Sequence, residues 1–348
     1  MLKPAAGLVG LAALVCSGCS SAAETSADGS APSSASSPSA TSSATSSAKP
    51  STTEAPEATT AFAPYVSATT AGDSDTSGSP AAYNLAFAVA DGGDCTPVWG
   101  GTTDIDDDAV ATRTAKLTSS GGAVRVSFGG AAGKELALAC DSAAELAAAY
   151  AKVLDATGAT EADFDIEGDA LTDSASVARR SEAIALLQKK RDLKATFTLP
   201  VMPSGLNAAS VALLDSANDH GARVATVNIM AMNYGTSFSG DMGDYAITSA
   251  TKAHAQLKKV FGLSARNAWR GLAITAMIGV NDVKGETFTL ADAAQLRSYA
   301  EKKGVAWLSM WATSRDKQCG SGTSTTKAQN SCSGVKQRAG AFAEALSG

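Results

Sequence analysis

EADFDIEGD, residues 161–169, sets acidic side chains on alternate positions: Glu161, Asp163, Asp165, Glu167 and Asp169, with Phe164 and Ile166 among the residues between them. A β-strand sends successive side chains to opposite faces. The stretch therefore reads as a strand over residues 163–167, with carboxylates on one face and apolar groups on the other. A calcium loop wants glycine or small polar residues between its ligands, where this chain has Phe and Ile. A solvated acidic turn is the bland alternative, but it gives the apolar residues no reason to alternate. Carboxylates crowded together in a low dielectric raise at least one pKa and keep one acid protonated near neutral pH. That is the requirement for a general acid.

Strand-like runs recur on both sides of this stretch, at Phe62–Val66, Asn84–Ala90, Val124–Gly129, Asp163–Glu167, Ala195–Val201, Ala225–Tyr234, Leu272–Ile278 and Val305–Ala312. Helical patterns separate them. Ser142-Ala-Ala-Glu145 reads as a capping box, Leu146, Tyr150, Val153 and Leu154 follow at helical spacing, and Gly158 is placed to end the helix. Further helices are predicted over about 174–190 and about 290–303, the latter ahead of Gly304. Strands alternating with helices imply a parallel α/β sheet, and eight such units predict a (β/α)8 TIM barrel. An open doubly wound sheet is the competitor, but no GxGxxG or GxxxxGK[ST] follows a strand, which argues against a dinucleotide or P-loop enzyme. Inside a barrel, Asp163, Asp165 and Glu167 share the inward face. Glu167 comes last, at the C-terminal end where barrel enzymes place their chemistry.

The formal net charge of −6 offers no basic patch for nucleic acid or an anionic membrane. Residues 1–19 carry one cation, Lys3, and an apolar run, Leu8–Val15, too short to cross a bilayer, which is the pattern of a secretory signal peptide. Ser17-Gly18-Cys19 resembles a bacterial lipobox, with Cys16 where that pattern prefers an aliphatic residue, so Cys19 is a candidate for lipidation and ordinary secretion is the alternative. An extracellular or cell-surface location is expected. Residues 20–61 contain no aromatic residue and no Leu, Ile, Val or Met, and read as a disordered Ser/Ala/Thr/Pro linker. The globular part is expected to span 62–348. Its cysteines, Cys95, Cys140, Cys319 and Cys332, read as two disulfides in an exported protein. Of the three formal pairings, Cys319 with Cys332 across a Gly/Ser/Thr-rich loop is the local one, leaving Cys95 with Cys140. There is no CxxC, and neither His220 nor His254 lies near a cysteine or in a triad-like setting, so no metal and no cofactor are expected.

Asp163-Phe-Asp165-Ile-Glu167 resembles the DxDxE core of the signature strand of glycoside hydrolase family 18, the chitinases. The longer family pattern, DGxDxDxE, is departed from at Thr160 and Glu161. Ser127-Phe-Gly129-Gly130 resembles the family's SxGG on the third strand, and Met230-Ala-Met232-Asn233-Tyr234-Gly235 its sixth-strand motif. Trp311, in SMWATSRD, matches the tryptophan that floors the sugar site. The resemblance covers 62–348 and is closest to bacterial single-barrel members without an inserted α+β subdomain.

It implies hydrolysis of β-1,4-linked N-acetylglucosamine polymers, with retention and with the substrate's own 2-acetamido oxygen as nucleophile. Glu167 is then the general acid and later the base. Asp165 orients the acetamido group, Asp163 shares a proton with Asp165 from behind, and Tyr234 donates to the acetamido carbonyl. Pleating turns Met230, Met232 and Tyr234 inward, which favours Tyr234 over Asn233; many relatives have Asp at the latter position. Sugar contacts are expected from Trp311, Asn233 and Met232, from the aromatics Tyr65, Phe87 and Trp99, and from Asn281 in the loop after the seventh strand, with Glu286 nearby. Ser127 and the two glycines are expected to shape the floor under the carboxylates. The partner is a carbohydrate and not a nucleic acid, the chain is expected to be a monomer, and membrane contact is limited to the lipid anchor. An endo-β-N-acetylglucosaminidase acting on N-glycan cores and a non-catalytic chitin-binding lectin are the alternatives. Such lectins usually lose the glutamate at the place of Glu167.

Overall fold

The strand-like runs become the staves of a barrel in a computed structural model that describes residues 59–348. The expected export segment with Cys19, and all of the linker before residue 59, lie outside the described residues. The first stave, β1, is in two pieces, Ala61–Phe62 and Tyr65–Ser67, interrupted at Pro64, which has no N–H to give a ladder. The others are β2 (Ala82–Ala90), β3 (Ala123–Gly129), β4 (Glu161–Asp165), β5 (Lys194–Met202), β6 (Val224–Ala231), β7 (Leu272–Met277) and β8 (Trp307–Trp311). Each pairs in parallel with the next, β1 with β2 through to β7 with β8.

The broken first strand closes the ring. Its first piece pairs in parallel with β8 and its second with β2. At the break, the Ala63 N–H donates to the Leu308 carbonyl (2.9 Å) while the Pro64 carbonyl accepts the Asn84 N–H (2.9 Å). The fold is the expected TIM barrel.

Helices α1 (Asp108–Ser119), α2 (Ala143–Thr157), α3 (Ser174–Lys190), α4 (Ala208–Asp219), α5 (Met242–Val260), α6 (Leu290–Lys303) and α7 (Ala341–Ser347) follow the later staves. After β1 the described chain makes turns over 73–78 in place of a helix. The expected ends of α2 hold, with one adjustment. The Ser142 hydroxyl accepts the Glu145 N–H at 3.2 Å, but the Glu145 carboxylate takes the N–H of Asp141 and not that of Ser142. Among the strand ends that fall short of expectation, β4 stops at Asp165 and β6 at Ala231, by two and three residues. Both shortfalls lie at the rim where the site is built. The disulfides join Cys95 to Cys140 and Cys319 to Cys332, as expected.

Outward-facing Phe128 and Phe164 pack with Tyr150 of α2 and Phe197 packs on Phe164, the ring centroids of neighbours 4.6–5.7 Å apart. The barrel interior is polar. At its N-terminal end Arg125 binds Glu161 (2.8 Å), Asn84 (2.7 Å) and the face of Trp307 (4.8 Å to the ring centroid), so Trp307 forms the lower layer that its spacing from Trp311 suggests.

Outside the barrel, Arg180 of α3 has no exposed side-chain surface and pairs with Glu135 at 2.7 Å. Glu135 also takes the Tyr150 hydroxyl (3.1 Å) and the Ala137 N–H (2.8 Å), and Arg180 reaches the Ala170 carbonyl (3.3 Å) behind the end of β4. A buried ion pair broken on one side leaves an uncompensated charge. Arg180→Met is therefore expected to cost about 3–5 kcal/mol in denaturant unfolding, most of it recovered in Arg180→Met/Glu135→Leu.

Candidate active site

Asp163 lies inside the barrel with no exposed surface. Its carboxylate accepts hydroxyls from three other staves: Tyr65 of β1 (2.8 Å), Ser127 of β3 (2.8 Å) and Thr198 of β5 (2.6 Å). Asn228 of β6 continues the layer, donating to Thr198 (2.9 Å) and Thr275 (2.8 Å). Burial pushes the Asp163 pKa up, opposed by these three hydroxyls. No hydrogen bond joins Asp163 to Asp165 among the described residues, so the expected shared proton is replaced by hydroxyl donors. Ser127 thus has a defined role, holding the carboxylate beneath the site.

One pleat further on, Asp165 reaches the C-terminal rim. Its Oδ1 is buried and has no hydrogen-bond partner. Burial raises its pKa well above the ordinary range, and the charges of Glu167 and Asp163 raise it further. Its backbone carbonyl accepts the Gly130 N–H at 2.9 Å. Gly129, at φ +92, leaves no room for a Cβ against that same carbonyl oxygen, and a Cβ at Gly130 would enter the Phe87 ring. The two glycines let β3 and its loop close on the strand end.

Glu167 lies just beyond β4, at the N-cap position of a short helix, Gly168–Thr172, but its side chain makes no capping bond. Its carboxyl faces the cleft that Asp165 lines, and burial raises its pKa.

The cleft encloses about 360 Å³. Trp311 and Phe87 form one wall, stacked with centroids 5.6 Å apart, and Tyr65 meets Trp311 edge-on at 5.7 Å. Met230 and Met232 of the sixth-strand motif line it too. Asn233 and Tyr234 exchange the places that simple pleating gives them. Asn233 takes the left-handed conformation (φ 54), which Asn tolerates better than most residues. That twist puts Asn233 on the cleft and turns Tyr234 away, to pack on Phe238 and Tyr245 with its hydroxyl buried. Tyr234, expected as the acetamido donor, is thus not among the residues lining the cleft.

Trp99 is also displaced from its expected role. It is fully buried, on a short antiparallel strand beside β2. Asn281 is buried, is not among the residues lining the cleft, and gives its amide N–H groups to the carbonyls of Met277 (2.8 Å) and Gly279 (3.0 Å), which shapes the loop. Glu286 is buried and accepts the Gly235 N–H at 2.8 Å, holding the 233–235 turn from behind. The lining residues that sequence reasoning missed include Asp282, Thr198 and Met277. Thr198 and Met277 lie inward by strand parity, which could have flagged them. Asp282 sits in a loop without periodicity and carries no such signal.

The arrangement places the Glu167 carboxyl and the unpartnered Asp165 carboxyl in one half-enclosed cleft with a flat aromatic wall. It can protonate a leaving oxygen and stabilise developing positive charge on the same ligand.

No family model matches the chain. It is 32% identical over 249 residues to the probable bifunctional chitinase/lysozyme of Escherichia coli (strain K12), which covers 67% of this chain and 28% of that protein. It is 31% identical over 248 residues to Endochitinase 11 of Metarhizium anisopliae, covering 67% of this chain and 47% of that one. The chain therefore spans less than half the length of either curated relative. Among solved structures it is similar to active domain 2 of a thermostable chitinase from Pyrococcus furiosus, crystallised as catalytic-site mutants complexed with chito-oligosaccharides. The identity there is 28%, the TM-score 0.74, and the match covers 84% of this chain and 96% of that one. Fold and site define the class, a TIM barrel with a carboxylate cleft at the C-terminal ends of its strands. The chain belongs to glycoside hydrolase family 18 and is chitinase-like.

The elevated Asp165 pKa has a consequence for stability. A raised native pKa means that the contribution of the protonated group is complete below the unfolded value of about 3.9 and is lost as pH rises through the native one. Asp165→Asn removes that loss. Its melting temperature is expected to match wild type near pH 3 and exceed it at pH 7, by roughly 2–4 °C for each kcal/mol relieved. Thermal denaturation across that range measures the divergence.

Proposed function

We propose that this protein is an exported glycosidase that hydrolyses β-1,4-linked N-acetylglucosamine polymers with retention, by substrate-assisted catalysis. The observation that carries the reading is the buried, unpartnered Oδ1 of Asp165 in the same cleft as Glu167. An orphan acceptor in a ligand cleft favours a ligand that brings an N–H, and a 2-acetamido sugar brings one beside its reacting carbon. In this reading Asp165 takes the acetamido N–H and turns the acetamido oxygen towards C1. Glu167 gives its proton to the glycosidic oxygen, the C1–O bond breaks, and the acetamido oxygen closes on C1 as a positively charged oxazolinium that the Asp165 carboxylate stabilises. Glu167, now ionised, takes a proton from water, whose oxygen attacks C1, reopens the ring and restores both groups. Trp311 supplies the flat apolar face for a sugar ring. The chitinase names of the relatives, and the chito-oligosaccharides bound by the Pyrococcus furiosus domain, support this substrate class.

Glu167→Gln is expected to lower the hydrolysis of chitin oligosaccharides by at least about 10²–10⁴-fold while their binding persists. Chromatography of the products and a binding titration on the same samples give both readouts. Wild type that bound these oligosaccharides but cleaved neither them nor a high-mannose glycopeptide would falsify the enzyme reading in favour of a lectin. Cleavage of the glycopeptide alone would move the substrate to N-glycan cores. Export by a lipoprotein signal predicts a diacylglyceryl group on Cys19 as the mature N-terminus, and mass spectrometry that finds an unmodified N-terminus downstream of Cys19 would remove the anchor.

A further inference from the structure

The cleft is lined by a third carboxylate that the reaction above leaves unused. Asp282, in the loop after β7, is exposed and lines the cavity that Asp165 and Glu167 share. Its position is set by Asn233. The Asn233 side-chain oxygen accepts the N–H groups of Asp282 (3.0 Å) and Val283 (3.3 Å), and its amide nitrogen donates to Asp282 Oδ2 (3.1 Å). An aspartate at position 233 could accept the same two N–H groups but would repel the carboxylate. Asparagine is therefore the residue that can hold Asp282 in place. The clamp is itself braced, since Glu286 anchors the turn after Asn233 through the Gly235 N–H.

Within the cleft this negative charge has no cationic partner. None of its lining side chains is Lys, Arg or His. Arg315 is close enough for Asp282 to act on its pKa, but burial still lowers that pKa to about 10. The Arg315 guanidinium is committed to the carbonyls of Ile278, Val280 and Gln329. No ion pair joins it to Asp282 among the described residues. A ligand that brought a cation would find a fixed carboxylate with no cation paired to it, able to make a charge-assisted contact. Polymers of N-acetylglucosamine carry such a cation wherever an acetyl group is missing, as the ammonium of a glucosamine unit.

We propose that Asp282, held by Asn233, is a specificity-determining residue that seats the ammonium of a glucosamine unit, so that the cleft takes partially deacetylated chitin in preference to the fully acetylated polymer. The proposal rests on the glycosidase reading and deepens it.

The test measures binding, so that it does not depend on turnover. Glu167→Gln protein is titrated calorimetrically with a fully acetylated and a partially deacetylated hexasaccharide at mildly acid pH. The deacetylated ligand is expected to bind about tenfold tighter at low salt, with the ratio shrinking as salt screens the pair. Adding Asp282→Asn should bring the ratio down roughly fivefold or more, and Asn233→Ala should lower it in the same direction by releasing the carboxylate. Equal affinities in the parent, a ratio that Asp282→Asn does not move, or binding of neither ligand overturns the proposal. Hydrolysis by wild type is assayed alongside. Absence of cleavage with the ratio intact sinks the glycosidase reading and leaves the role of Asp282 standing.

Discussion

The carboxylate of Asp163 is buried in the middle of the barrel and takes hydroxyls from β1, β3 and β5. A buried carboxylate is costly unless its lone pairs are met, and here the donors come from staves on both sides of β4. Hydrogen bonds to a charged group are worth about 1.5–3 kcal/mol each, and these three lock β4 in register against its neighbours. Pleating does the rest. With Asp163 facing the axis, Phe164 must face the helices, Asp165 must face the axis one layer higher, and Glu167 must emerge at the rim. A slip of one residue would bury Phe164 among the hydroxyls and send Asp163 into the aromatic layer.

Parity is why so much of the site was legible in sequence. Asp163, Asp165, Glu167, Trp311 and Met232 lie as the period of two requires, and the (β/α)8 class follows from the same alternation repeated along the chain. Legibility ends where the backbone leaves the strand. At Asn233 a left-handed residue breaks the period, so the side chain expected to point outward faces the cleft and Tyr234 faces away. Trp99 failed for a different reason. A tryptophan in an apolar run suits a sugar platform or a core position equally well, and only the antiparallel pairing beside β2 puts it in the core. Asn281 and Asp282 are adjacent loop residues with opposite fates, and nothing in their order distinguishes the one that braces the loop from the one that lines the cleft.

The glycines of Ser127-Phe-Gly129-Gly130 belong to the same logic. Gly130 ties its N–H to the Asp165 carbonyl, and Gly129 lets the backbone approach that carbonyl without a side chain between them. The backbone of Asp165 is thus held from β3 while its side chain is left unpartnered. The residue is rigid and at the same time unsatisfied, and that combination makes it available to a ligand.

The distribution of charge then separates the roles of the carboxyls. Mutual repulsion along the strand falls mainly on Asp165, where Glu167 and Asp163 add to the effect of burial. Burial alone raises Glu167. Glu167 is thus biased towards its protonated form by the partly closed cleft and not by the charge of its neighbours. In the proposed reaction Glu167 gains charge as it gives up its proton, which adds to the repulsion on Asp165, and only positive charge on the sugar offsets it. In that reaction the positive charge on the sugar is what would turn an ionised Asp165 from a liability into a counter-charge. Glu161, of the same parity but paired with Arg125 and Lys194 at the other end of the strand, is held below the usual carboxylate range by those cations against its partial burial. Along one strand of alternating acids, the environment turns from cationic at Glu161, to hydroxyl-lined at Asp163, to unpartnered at Asp165. That gradient gives three similar carboxyls three different surroundings.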